Sequence, residues 1–437
     1  MTASAYATDT PLKAAIRIGQ SLIESAFWDP THSVCSWMGR TDVEDASGGG
    51  YAAASAALGG HLYGGSSGVT LFLSELYGQT RDEKVKETAA GALRHSVHYL
   101  RRNPGLTSAL SFHLAHLGAA YAITRAQELE VIGEGIDEVS NEVEADVNWL
   151  IDQAEAAFKG EHLLDLLSGT SGAIPALTWL AGRSGLDRCL DLAISFGNEL
   201  CDKAVYDQGL CYWDAAIASG DSFKSPPLTG FSHGSAGMAF ALFGLYEHTG
   251  ERRYLATARA ATTYEDVLFR AEEGNWVDVR FPNSSVGGVP TGTCQSTWCH
   301  GAPGIGLTRL LAMRCDSEQA GYHETMARIA LKSTLSALQR NMDVPRFDTT
   351  LCHGICGLSD IVLSFAEALD DSASADAART AVLQLVERYA AADDWPSGIT
   401  TGGSNPTLMI GSSGVGHHLL RLHAPREVRS VLHIQPN

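Results

Sequence analysis

TWCHGAPG, residues 297–304, is one copy of a short turn that the chain writes seven times. The other copies are GGSSG at 64–68, SGTSG at 168–172, HGSAG at 233–237, HGICG at 353–357 and IGSSG at 410–414, with LAHLG at 114–118 as a degraded copy. Their closing glycines lie between 50 residues (Gly68 to Gly118) and 67 residues (Gly237 to Gly304) apart. That interval holds two helices of ordinary length with their connections. Behind each turn the fifth and eighth positions repeat as apolar residues, for example Leu73 and Leu76, Leu177 and Leu180, Leu242 and Leu245. Together with the closing glycine they form one stripe on an α-helix. The copy at Gly304 departs, with Arg309 and Ala312 in those places.

Between the turns run longer amphipathic segments such as LKAAIRIGQSLIESAFW, DEKVKETAAGALRHSVHYLRR and ETMARIALKSTLSALQR. Seven of these alternate with seven turn-initiated helices, and no sustained period-2 alternation competes with them. The expectation is an all-α protein of seven outer and seven inner helices, an array that forms an open solenoid or closes on itself; closure is favoured because the chemistry at the turns needs them to converge. It forms one domain over residues 1–437, because no stretch reads as a linker. Closure of the array brings the glycine turns together around one mouth. Glycine suits such turns because it tolerates positive φ and lets backbones approach closely.

The composition narrows the function. Apolar residues make up 45% of the 437 and charged residues 19%, enough for a substantial core. A formal charge of −19 disfavours nucleic acid as a partner and suits a basic peptide, although acidic surfaces commonly serve solubility alone. No apolar run is long enough to span a membrane, and the first residues are not a signal peptide, so a cytoplasmic location is expected. Nine cysteines then argue against a disulfide framework. Cys189, Cys201 and Cys315 read as small apolar residues on helix faces.

Three turns carry chemistry that architecture does not require. TWCHGAPG offers Cys299 and His300, LCHGICG offers Cys352, His353 and Cys356, and FSHGSAG offers His233. Two thiols with a neighbouring imidazole form a soft nitrogen-and-sulfur set suited to Zn2+, and three protein ligands leave the fourth position for a substrate. Cys299, Cys352 and His353 are therefore candidate zinc ligands; the competing reading is buried apolar cysteines and helix-capping histidines. His233 is a candidate acid/base, or a satisfied core histidine. Asp165 is the only carboxylate at its repeat position and is framed by four leucines in LLDLL. A carboxylate so placed needs a partner or a shifted pKa, and pairing with a mouth histidine competes with a helix-cap role.

At WCHGAPG, LCHG and FSHGSAG the sequence resembles the lanthionine cyclases, the LanC superfamily, with its nearest likeness in the cyclase half of the bifunctional LanM lanthipeptide synthetases. The likeness extends to TYEDVLFRAEEGNWVDVR at 263–280 and to the ending LRLHAPREVRSVLHIQPN. It implies an α,α-toroid holding zinc through Cys299, Cys352 and His353, with His233 and Asp165 as acid/base pair. The implied reaction adds peptide cysteine thiols to dehydroalanine or dehydrobutyrine, closing (methyl)lanthionine thioether rings. His300 ranks below His233 as proton donor. The implied partners are a dehydrated precursor peptide with its leader and a separate dehydratase of the kinase or lyase type, since the chain opens close to its first cyclase helix. Two rival functions are addition of glutathione or another small thiol to dehydroamino acids, and a peptide-binding scaffold without catalysis.

Overall fold

A computed structural model describes residues 3–44, 51–104, 110–132, 137–215, 226–280, 284–286, 289–391, 394–399, 403 and 405–434. Seven inner helices begin at the seven turns: α2 (Ser66–Thr80), α4 (His116–Glu128), α6 (Thr170–Ser184), α8 (Ser235–Thr249), α10 (Ala302–Cys315), α12 (Ile355–Leu369) and α14 (Ser412–His423). Seven outer helices alternate with them: α1 (Ala3–Ser25), α3 (Glu83–Arg102), α5 (Asp137–Phe158), α7 (Asp187–Lys203), α9 (Arg252–Val267), α11 (Ala320–Met342) and α13 (Ser372–Tyr389). Each inner helix packs on the next, and α14 packs on α2, so the inner ring is closed. From α2 onward each inner helix pairs with the outer helix that follows it, whereas α14 pairs with α1. The protein is all-α, as the repeats predict, and closes into the toroid that the resemblance implies.

Burial explains the two kinds of helix. The first nine residues of α8, Ser235 to Phe243, are all buried, as an inner position between neighbours and the ring interior demands. Outer α3 buries one face only, through Val85, Ala89, Ala92, Leu93, Ser96, Val97 and Leu100. Arg309, the departure from the stripe, is buried and donates to Asp266 Oδ1 at 2.6 Å and to the Thr262 carbonyl at 3.1 Å, tying α10 to α9. After α14, Val428, Val431, Leu432 and Ile434 are buried, and Leu432 O accepts the Trp298 indole N–H at 2.9 Å.

The glycine pattern has one steric cause. A Cβ on the closing glycine of any turn would fall 1.9–2.2 Å from the carbonyl oxygen six residues earlier: Leu62, Phe112, Leu166, Phe231, Trp298, Leu351 or Leu408. Gly118 obeys this rule, so LAHLG is a true copy. Positive φ plays a smaller part than the sequence suggests: Gly65, Gly169, Gly234, Gly354 and Gly411 are extended, and Gly301 alone among these helix-capping glycines is left-handed, at φ 83°.

Two-stranded antiparallel ribbons, which the helical periodicity does not reveal, decorate the connections. The longest pairs Met38–Glu44 with Tyr51–Ala57. Four shorter ribbons pair Phe27–Trp28 with Cys35–Ser36, Val205–Asp207 with Leu210–Tyr212, Phe269–Arg270 with Asn275–Trp276, and Ser284–Val286 with Val289–Thr291. Strands of two or three residues are too short for an alternation to register in sequence.

Candidate metal and acid–base site

Hydrogen bonds stitch the seven turns into a continuous crown. Tyr63 N donates to His113 O, the Ser111 hydroxyl to Leu167 O, Leu166 N to Ser232 O, and Phe231 N to Cys299 O. The circuit closes with Trp298 N to Cys352 O, Cys352 N to Met409 O and Met409 N to Tyr63 O. Residues distant in sequence are thereby fixed side by side. Because glycine caps carry no side chain, the first N–H groups of the inner helices need outside acceptors. Buried Glu265 serves the His233 turn, accepting from Gly230 N at 3.1 Å and Ala236 N at 2.8 Å. Asn275 Oδ1 does the same for the next turn, accepting from Ala302 N at 2.6 Å.

The fifth and sixth turns bring the sequence's metal candidates together. Cys299, Cys352 and His353 each offer one ligand atom, and these atoms all lie within 4.8 Å of one another. No other group of three His, Cys, Asp or Glu side chains among the described residues meets that condition. Two sulfurs and an imidazole nitrogen at this separation fit a tetrahedral soft cation such as zinc with a fourth position left over. The Cys299 thiol is held well below the usual cysteine range, chiefly by hydrogen bonding from Cys352 and then by His353, against the opposing effect of burial. Burial, and then the charge favoured on Cys299, push Cys352 well up. The pair thus releases one proton readily and keeps the other, and a cation is the natural agent for removing the second. Cys356, in the same motif, is fully buried and raised above the ordinary range by burial, the structural role that its repeat position suggests.

The acid–base candidates meet as well. Leu166 N and Leu167 N both donate to Ser232 O, which sets the third turn against the fourth. Asp165 Oδ2 lies 2.5 Å from His233 Nδ1, and Asp165 Oδ1 accepts Ser168 N at 2.5 Å. Asp165 therefore does both jobs weighed for it, bracing its own turn and pairing with the histidine. The carboxylate is wholly buried, whereas 24% of the His233 side chain is exposed toward the mouth. Burial raises the Asp165 pKa, with His233 opposing. Burial disfavours the His233 imidazolium, but the hydrogen bond and charge of Asp165 outweigh it and the pKa rises. Both shifts mean that the pair keeps its proton to higher pH than either group alone.

His233 also lies near the fifth turn: its ring centroid is 6.1 Å from that of His300, and the Cys299 charge helps to raise its pKa. His300 itself is buried, has no hydrogen-bond partner on either ring nitrogen among the described residues, and is pushed down to about 4 by burial. A neutral, sequestered imidazole is a poor proton donor, in keeping with its lower rank.

Five neighbours escaped the residue-by-residue reading. Tyr63 Oη donates to Cys352 Sγ at 3.0 Å, and burial pushes its pKa well above the usual tyrosine value, so it remains a donor. Thr297 Oγ1 accepts His300 N and lies 3.2 Å from Cys299 Sγ. Asp348 is raised by burial and lowered by the charge of His353 beside it. Arg280 grips buried Asp278, Nη2 to Oδ2 at 2.7 Å and Nε to Oδ1 at 3.1 Å, and its charge is felt at His233, His300 and His353. Asp278 and Arg280 fall within TYEDVLFRAEEGNWVDVR, but nothing in their spacing marks them as part of the site.

Residues 56–433 match the family model described as lanthionine synthetase C-like protein. Comparison with curated protein sequences gives no match. Among solved structures the chain is similar to nisin cyclase, with a TM-score of 0.64 and 20% identity over 84% of this chain and 89% of that one. A looser likeness, at TM-score 0.49 and 11% identity over 95% of this chain and 99% of that one, links it to the GH76A α-1,6-mannanase of Salegentibacter sp. HEL1_6, too distant to bear on function.

Proposed function

Because the chain belongs to the lanthionine synthetase C-like family, we propose that it is a zinc-dependent cyclase that adds cysteine thiols of a dehydrated peptide to dehydroalanine or dehydrobutyrine residues. The observation that carries the reading is the meeting at one mouth of Cys299, Cys352 and His353 with the His233–Asp165 pair. A toroid needs no thiols at its turns, and a binding scaffold needs no carboxylate-paired histidine facing them.

Cys299, Cys352 and His353 would hold the metal. Zinc, when bound, supplies the Lewis acidity that keeps the peptide's sulfur as a thiolate near neutral pH. The sulfur's electron pair forms the new bond to the β-carbon, and the double bond's electrons move onto the adjoining carbonyl as an enolate. Arg280, gripped by Asp278, supplies a fixed positive charge that reaches His233 and His353. His233, kept protonated by Asp165, gives its proton to the α-carbon. The thiol loses one proton and the α-carbon gains one, so ring closing is neutral overall.

Two measurements test this. Metal analysis of the purified protein should find about one zinc per chain, as expected for a three-ligand catalytic site; a value well below that would falsify the zinc reading. His233→Ala should retain the metal yet slow ring closure by roughly 10²–10⁴-fold, the usual worth of a positioned acid. A fully active variant refutes the role given to His233. Running the same assays with glutathione as the only thiol separates ring closing from small-thiol addition.

A further inference from the structure

The sixth turn contributes two of the three candidate ligands, yet Cys352 is held by groups from two further turns, its backbone by the seventh and its sulfur by the first. Cys352 N donates to Met409 O at 2.9 Å in the seventh turn, and Met409 N donates to Tyr63 O at 2.9 Å in the first. Tyr63 then returns across the same seam and donates its phenolic O–H to Cys352 Sγ at 3.0 Å. Thr297 approaches the other sulfur from within that sulfur's own turn, whereas Tyr63 reaches the Cys352 sulfur from a different repeat.

Resting on the zinc reading above, we propose that Tyr63 is a positioning residue that tunes the metal-bound Cys352 sulfur, so that the metal site is completed by the seam where the first and seventh turns meet. A hydrogen bond to a thiolate is charge-assisted and withdraws electron density from sulfur. The sulfur then gives less to the metal, which is left more acidic toward the incoming substrate thiol. Partners of this kind also fix the direction of the sulfur's lone pair, and their loss typically changes metal affinity by about 10–100-fold. The sequence placed Tyr63 in a purely structural turn, LYGGSSG. The ring gives it a chemical task.

Co2+ substitution reads this without any turnover. Wild-type protein loaded with Co2+ should show visible bands of a tetrahedral ion and a near-ultraviolet sulfur-to-cobalt charge-transfer band. In Tyr63→Phe the visible bands should persist while the charge-transfer band moves to longer wavelength, because the sulfur gives up an electron more easily. Zinc affinity in chelator competition should fall by about tenfold, the loss of the sulfur's fixed direction outweighing its stronger donation. Superimposable spectra for the two proteins overturn the inference. Loss of all bands in the variant overturns it equally, since a group that only tunes sulfur leaves the ligand set standing. A wild-type chain that takes up no Co2+ defeats the zinc reading and this inference together, and is told apart by the wild-type spectrum alone.

Discussion

Asp165 and His233 hold a proton between a buried carboxylate and a half-buried imidazole, and the sign of that arrangement makes a pH prediction. A general acid must be protonated; Asp165 raises the His233 pKa, so the donor survives to higher pH than an unpaired histidine. In Asp165→Asn the charge is gone while the shape is kept, so the alkaline limb of the ring-closing rate should move toward acid. The rate at its maximum should also fall, by about tenfold or more. An unmoved limb would mean that Asp165 only braces its turn through Ser168 N. At this scale the sequence was most legible where chemistry broke a repeat: a carboxylate among leucines, a Cys–His pair where the first turn carries Tyr63–Gly64 and the third Leu167–Ser168. Tyr63 and the Asp278–Arg280 pair break nothing visible. An aromatic beside a glycine turn and an alternating acid and base look ordinary until the fold sets them beside the ligands.

The inner helices start where they do because each closing glycine lies against its own turn's carbonyl six residues back. At Gly304 a Cβ would meet Trp298 O at 2.0 Å and Phe231 Cβ at 2.5 Å, with buried backbone on one side and a packed ring on the other. Gly304→Ala should therefore destabilise the fold by about 1–3 kcal/mol or more, the range for forcing atoms into a full core, read as a lower denaturant midpoint. Because Trp298 directly precedes Cys299, the same substitution should also weaken metal binding. A midpoint within error of wild type would show that the turn relaxes freely. The periodicity of these helices and glycines made the elements legible in advance. The ribbons were not, because the short ones offer two or three residues apiece and Tyr51–Ala57, YAAASAA, is mostly alanine, which favours helix.

Across the molecule, the metal candidates span two neighbouring repeats, Cys299 ahead of α10 and Cys352 with His353 ahead of α12. A bound ion would cross-link them and stabilise the folded state by about 2.7 kcal/mol when present at a hundredfold excess over its dissociation constant. Calorimetry should show zinc raising the melting temperature of wild type and leaving Cys299→Ala unmoved; equal shifts in both would place the ion elsewhere. Ring closure was foreseeable only as a preference, since stacked helix pairs make open arrays equally well. What decides it is the pairing of α1 with α14 and of α14 with α2. That pairing has a consequence for how the chain is made. Helix α1 leaves the ribosome before the rest of the ring, but its inner partner begins at Ser412, so at 5–20 residues per second it waits about 20 to 80 s for the surface it must cover. Until then Ile18 and Leu22, buried in the finished ring, are open to the cell, and a nascent chain stalled short of Ser412 should be the form that chaperones capture and proteases clear.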